Sequence, residues 1–189
     1  VVTIVRGKIE EIALPDGIEQ VDIIVSEWMG YFLLYESMLD SVLFARDKWL
    51  VPGDLLFPDK ATLYMTAIED ADYKEEKIGF WRNVYGFDMS CIEEIAMLEP
   101  LVDVVEPDSV VMGNSSLLDI DLTACTKADL AFDAPFRIVA QRDDMVHAFV
   151  AFFDCEFSCC RVPISFSTGP HAPYTHWKQT VFYLDEPLN

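Results

Sequence analysis

Val21-Asp22-Ile23-Ile24-Val25 runs directly into Ser26-Glu27-Trp28-Met29-Gly30-Tyr31-Phe32-Leu33-Leu34-Tyr35-Glu36-Ser37-Met38-Leu39. The first five residues are almost continuous Val and Ile, the composition of a strand buried on both faces of a parallel sheet. Downstream, Tyr35, Met38, Leu39, Val42, Leu43, Ala45 and Trp49 set apolar groups three and four positions apart. That spacing predicts a helix, which Pro52-Gly53 stops. Upstream, Val1 to Val5 reads as a second strand, separated from the first by a connector carrying Pro15-Asp16-Gly17. Together these elements predict the second half of an α/β sheet domain over residues 1–58.

From residue 59 onward the texture changes to short strand-like runs at Ala61–Ile68, Leu117–Leu122, Phe136–Ala140, His147–Phe153 and Thr180–Leu184. Such runs predict a β-sandwich or barrel over 59–189. Between Ile78 and Ile95 the pattern fits short helices better, and Phe80, Trp81, Tyr85, Phe87 and Met89 crowd that stretch. Aromatic and Met side chains of this kind mark a partner-binding patch if exposed, and local core if covered.

Composition narrows the function classes. Of 189 residues, 13 are Lys or Arg and 33 are Asp or Glu, a net charge of −20. Phosphate binding needs clustered cations, so nucleic acid is not the expected partner. A hydrophobic fraction of 52% with 13% aromatic residues excludes a disordered acidic tail and provides for a core. No apolar run approaches the roughly 18 residues of a membrane span. The chain opens within a strand-like run and stops at Asp185-Glu186-Pro187-Leu188-Asn189, and it reads as truncated at both ends. Five cysteines without a C-x-x-C spell out neither a disulfide framework nor a metal site, so reduced thiols and a cytoplasmic or nuclear location are expected. No two glycines lie two positions apart, which rules out both G-x-G-x-x-G and a P-loop.

The chemistry concentrates in the segment after Val25. Glu27 and Glu36 stand nine positions apart among aromatic and aliphatic residues, with Gly30 available for a turn. Two carboxylates in apolar surroundings are costly unless a cation or a proton compensates them. Three readings fit the spacing: helix caps or solvated glutamates, an acid/base pair of the glycosidase type, or a clamp for a guanidinium.

Ser26-Glu27-Trp28-Met29-Gly30-Tyr31 through Glu36-Ser37-Met38-Leu39 resembles the double-glutamate loop of the protein arginine methyltransferases. Tyr174-Thr175-His176-Trp177-Lys178-Gln179-Thr180 is similar to the same family's Thr-His-Trp loop, and Val84-Tyr85-Gly86-Phe87-Asp88-Met89-Ser90 to its dimerisation arm. Phe166-Ser167-Thr168-Gly169-Pro170 is also family-like, and the motifs occur in the family's order. The resemblance implies half of a Rossmann-like methyltransferase sheet, then a β-barrel with a helical arm at about 70–96. It implies methyl transfer from S-adenosylmethionine to guanidino nitrogens, giving monomethyl and asymmetric dimethyl arginine, with no metal.

Glu27 and Glu36 would grip and polarise the guanidinium, and His176 would accept or relay a proton. Met29, Tyr31 and Trp177 would complete the substrate pocket, Trp177 through cation–π contact. Ile9 and Glu10, in Gly7-Lys8-Ile9-Glu10-Glu11, would lie at the adenine edge and Met38 near the sulfonium. Arginine-rich proteins, whether Arg/Gly-rich, histone-like or RNA-binding, would be substrates of a homodimer. The rival reading is a non-catalytic acidic module that docks Arg/Gly-rich partners. No Gly-rich cofactor loop is present, so this stretch alone is expected to bind S-adenosylmethionine weakly or not at all.

Overall fold

A computed structural model describes residues 2–189. Strand β1 (Val21–Val25) pairs in parallel with β2 (Leu50–Phe57), and helix α1 (Leu39–Trp49) connects them. Leu39, Val42, Leu43, Ala45 and Trp49 form the buried stripe of α1. Asp40 in its first turn and Arg46 and Lys48 in its last complement the helix dipole. Arg46 also donates to the carbonyls of Leu122 and Cys125, each at 2.7 Å, which fastens α1 to the second layer.

Three local expectations change. Pro52-Gly53 does not end the helix; α1 stops at Trp49, and Leu50 is already extended at the start of β2. The register jumps from Val21↔Leu50 to Ile23↔Leu55, so the proline and glycine bulge out of the ladder. Strand β1 is not buried on both faces: Ile23 is 51% and Val25 73% exposed, because β2 is its one neighbour among the described residues. Val2–Val5 has strand composition but pairs with no strand among the described residues, and Val1 lies outside them.

The remainder is a six-stranded, largely antiparallel sheet in the order β4-β8-β6-β3-β5, with β7 added to β6. Its strands are β3 (Lys60–Ile68), β4 (Leu101–Asp103), β5 (Ser115–Asp121), β6 (Val146–Phe157), β7 (Ile164–Ser167) and β8 (Gln179–Leu188). Phe136–Ala140 contributes one isolated bridge, Met112↔Ala140, instead of a strand. The arm inserts between β3 and β4 as α2 (Ala71–Lys77), a 3₁₀ turn (Gly79–Arg82) and α3 (Ser90–Leu98). Arg82 staples it by pairing with Glu75 at 3.1 Å and Glu93 at 2.5 Å. Its tip, the Val84↔Phe87 turn, leaves Tyr85 94% and Phe87 72% exposed. No helix among the described residues is long and apolar enough to cross a membrane.

The main core joins the two parts. Trp28, Met29 and Leu33 pack with Leu39 and Leu43 of α1, Leu56 of β2, Leu63 and Met65 of β3, and Phe153 and Cys155 of β6. Asp59 closes the seam. Buried at the head of β3, it accepts from the Ser158 amide at 2.6 Å and from the Ser158 hydroxyl, while its carbonyl accepts from Leu122 at 2.8 Å. Burial raises its carboxyl, but the Ser158 donors outweigh that and hold it below the ordinary range. Its ionised form therefore stabilises the fold above the unfolded value near about 3.9, and that contribution is lost as pH falls through the lower folded value. Asp59→Ala should cost about 1–3 kcal/mol in urea unfolding at neutral pH by stranding the Ser158 donors, and should blunt the loss of stability in acid.

Candidate active site

The double-glutamate segment holds its polar residues at a rim by burying its apolar ones. Trp28 is 2% and Leu33 0% exposed, whereas Glu27 and Glu36 reach solvent. After Trp28 the chain doubles back: the Gly30 amide donates to the Leu33 carbonyl at 3.0 Å, and Phe32, Leu33 and Ser37 all adopt left-handed backbone at φ 50°, 62° and 56°. Left-handed non-glycine residues are strained, and three within six positions persist only where packing over-determines them. Glu36 then lies over Gly30. A Cβ added at Gly30 would stand 3.0 Å from both Cγ and the amide nitrogen of Glu36. The loop is thus tight at Gly30, where Glu36 folds back onto the turn after Trp28.

Glu27 faces β6. Burial pushes the Cys155 thiol up to about 12, with the nearby carboxylates of Asp154 and Glu27 adding to the effect. Cys155 pairs with Phe166 of β7, and Phe166 stacks on Trp177 with ring centroids 5.5 Å apart at 16°. Phe153 meets Trp177 edge-on at 5.6 Å. From this aromatic seat the Trp177 indole N–H donates to the Met29 carbonyl at 2.7 Å. That bond brings the two chain-distant motifs into one site.

The other expected residues fall around this junction. His176 is exposed with its ring centroid 3.9 Å from that of Trp177, and no salt bridge joins it to a carboxylate among the described residues. The Trp177 ring lies against Phe166, Phe153 and His176, and its indole N–H holds the Met29 carbonyl. Met29 is 6% exposed and its side chain belongs to the core, while Tyr31, 40% exposed, stands at the rim. Two of the three buried side-chain polar atoms without a partner among the described residues, Trp28 Nε1 and Thr175 Oγ1, belong to these loops. Unsatisfied polar groups are costly and gather where function overrides stability.

Glu10 and Met38 come together at the N-terminal end of α1. The Ser41 hydroxyl donates to Glu10 and, as the largest influence, holds its carboxyl below the ordinary range. Ser41's amide bonds the carbonyl of Met38, which is 45% exposed. Half-buried Ile9 precedes Glu10 in the turn Lys8–Ile12. Ser41 thus ties the Glu10 carboxylate to the backbone of Met38, and a carboxylate so placed could accept from an exocyclic amine. Two positions escaped sequence reasoning: Gly30 as the seat of Glu36, and Phe166 as the platform of Trp177, although Phe166 opens a family-like motif.

Residues 59–189 match the family model described as the arginine methyltransferase oligomerization subdomain. The chain belongs to the protein arginine methyltransferase family. It is 59% identical over 187 residues to protein arginine N-methyltransferase 1 of Dictyostelium discoideum and 61% identical over 187 residues to that of Schizosaccharomyces pombe. Each match covers 99% of this chain and 54% of the relative, so the chain spans about half the length of these arginine methyltransferases. Among solved structures, a chain of the Trypanosoma brucei PRMT1 enzyme–prozyme heterotetrameric complex with AdoHcy is 45% identical. It superposes with a TM-score of 0.92, covering 100% of this chain and 59% of that one. Arabidopsis thaliana protein arginine methyltransferase 10, in an open conformation, is 27% identical with a TM-score of 0.81, covering 100% of this chain and 62% of that one.

Trp177→Phe keeps an aromatic ring but deletes the indole donor together with the pyrrole half of the ring. It should cost about 1–3 kcal/mol in urea unfolding, from the stranded Met29 carbonyl and the space left beside Phe166 and Phe153.

Proposed function

We propose that the complete protein containing this chain transfers methyl groups from S-adenosylmethionine to the guanidino nitrogens of protein arginines, giving monomethyl and asymmetric dimethyl products. The observation that carries the proposal is the Trp177 to Met29 bond, which joins the loop of Glu27 and Glu36 to the loop of His176. The family membership and the AdoHcy named with the Trypanosoma brucei relative support the same chemistry.

A guanidinium is protonated at any working pH and its lone pairs are delocalised, so it is a poor nucleophile. Two carboxylates on one rim match its planar fork and draw the positive charge toward the nitrogens they touch. Electron density then gathers on the remaining nitrogen. S-adenosylmethionine supplies an electrophilic methyl when bound. Glu10, Ile9 and Met38 would hold its nucleoside and sulfonium side, and the carboxylate rim would keep the attacking nitrogen in line. His176, open to solvent beside Trp177, takes the released proton. The partners would be arginine-rich proteins, Arg/Gly-rich, histone-like or RNA-binding, met in the cytoplasm or nucleus. The exposed arm, Tyr85 and Phe87 foremost, would make the enzyme a homodimer.

Glu27→Gln and Glu36→Gln in the complete protein should each lower methyl transfer to an arginine-rich peptide by about a hundredfold or more, with unfolding curves unchanged. Near-normal transfer by both variants in a radiolabel assay would refute the clamp. With a net charge of −20 on this chain, affinity for a basic peptide should also weaken as salt rises. Affinity that is flat with salt would remove electrostatic steering from the account.

A further inference from the structure

The Thr-His-Trp loop is held from behind as well as in front. Directly after Trp177, Lys178 adopts left-handed backbone at φ 52°, a conformation a lysine does not take without support. Its amide closes the turn onto the Thr175 carbonyl at 3.1 Å. Its ammonium donates to Asp103 Oδ1 at 2.9 Å, its one salt bridge among the described residues. Asp103 ends β4, and the Tyr73 hydroxyl of α2 donates to its other oxygen at 2.5 Å. The next residue, Gln179, is locked on both sides: its side-chain carbonyl accepts from the Val105 amide at 2.7 Å and its amide donates to the Thr168 carbonyl at 2.6 Å. A path of hydrogen bonds therefore leads from the arm through Tyr73 and Asp103 to Lys178, passes along the chain to the adjacent Trp177, and crosses the Met29 carbonyl to the glutamate loop.

We infer that Asp103 is a positioning residue for the guanidinium site, acting through Lys178 on the aim of the Trp177 indole, and that Tyr73 links the seating of the arm to it. The inference rests on the proposed methyltransferase reading for its catalytic readout, but not for its structural one. Asp103 touches neither glutamate. Its carboxylate secures the turn that Lys178 must hold for Trp177 to reach Met29. The hydrogen bonds from Tyr73 first, and Lys178 second, keep its carboxyl down at about 2, so the joint stays charged throughout the working pH range. A purely stabilising ion pair would show no dependence on Trp177, whereas a positioning one must.

A double-mutant cycle in the complete protein separates the two. Asp103→Asn should lower kcat/KM for an arginine peptide about tenfold, mainly through kcat, with the sedimentation coefficient of the assembly unchanged. Lys178→Arg, which keeps the charge, should retain most of the activity. Asp103→Asn combined with Trp177→Phe should be no worse than Trp177→Phe alone. Multiplying losses, or Asp103→Asn activity within twofold of the parent, would overturn the inference.

Amide exchange gives a readout independent of catalysis. In Asp103→Asn, exchange over 174–178 and 28–33 should quicken while that of 84–89 stays as in the parent. Unchanged exchange over 28–33 would overturn the coupling even if the protein transferred no methyl groups, an outcome that would count separately against the proposed function. If Asp103→Asn does not fold, Tyr73→Phe removes a single hydroxyl and should give the same exchange pattern at smaller amplitude. Its absence would be equally decisive.

Discussion

One hydrogen bond spans 148 positions of the chain: the Trp177 indole donates to the Met29 carbonyl. Each side of it is prepared separately. Trp177 is seated on Phe166 and Phe153, in strands β7 and β6, so the sheet fixes where the donor points. Met29 and Trp28 are buried in the core shared by α1, β2 and the sheet, so the α/β part fixes where the acceptor lies. The bond is worth little in free energy by itself, and its importance is geometric. It registers the loop after β1, which carries both glutamates, against the loop before β8.

The same loop shows how a polar rim is built from an apolar anchor. Burying Trp28 and Leu33 supplies the stabilisation that holds Phe32, Leu33 and Ser37 in strained backbone, and the strained turns bring Glu36 back over Gly30. A carboxylate is thereby kept at the surface with no salt bridge among the described residues. Such local conflicts between stability and placement are expected where a site is preorganised for a ligand.

Much of this was legible in the sequence where the information is local. The apolar spacing from Leu39 to Trp49 identifies α1, and the alternating or continuous β-branched runs identify β1, β3, β5, β6 and β8. What escaped depends on partners far along the chain. Val2–Val5 and Phe136–Ala140 have the composition of strands but lack a full neighbouring strand, and β1 is exposed because nothing described covers it. Strand β2 was hidden behind Pro52-Gly53, which the ladder accommodates as a bulge. The glutamates and the Thr-His-Trp loop were legible as motifs, but the role of Trp177 as a clasp was not. That role depends on Phe166 and Met29, which only the folded chain brings beside it.

The acidity of the chain acquires a location from the fold. Eleven carboxylates and one cation, Lys127, fall between Asn83 and Phe136, on the arm and the early sheet. On the proposed function, this acidic surface would suit an arginine-rich partner, and the selective step would be capture of one guanidinium by the two glutamates. The most direct test is a crystal structure of the complete protein with an arginine-containing peptide. A single guanidinium hydrogen-bonded by both Glu27 and Glu36 is expected, with the Trp177 indole still on the Met29 carbonyl. A guanidinium bound away from these carboxylates, or held by both with the Trp177 bond broken, would contradict it.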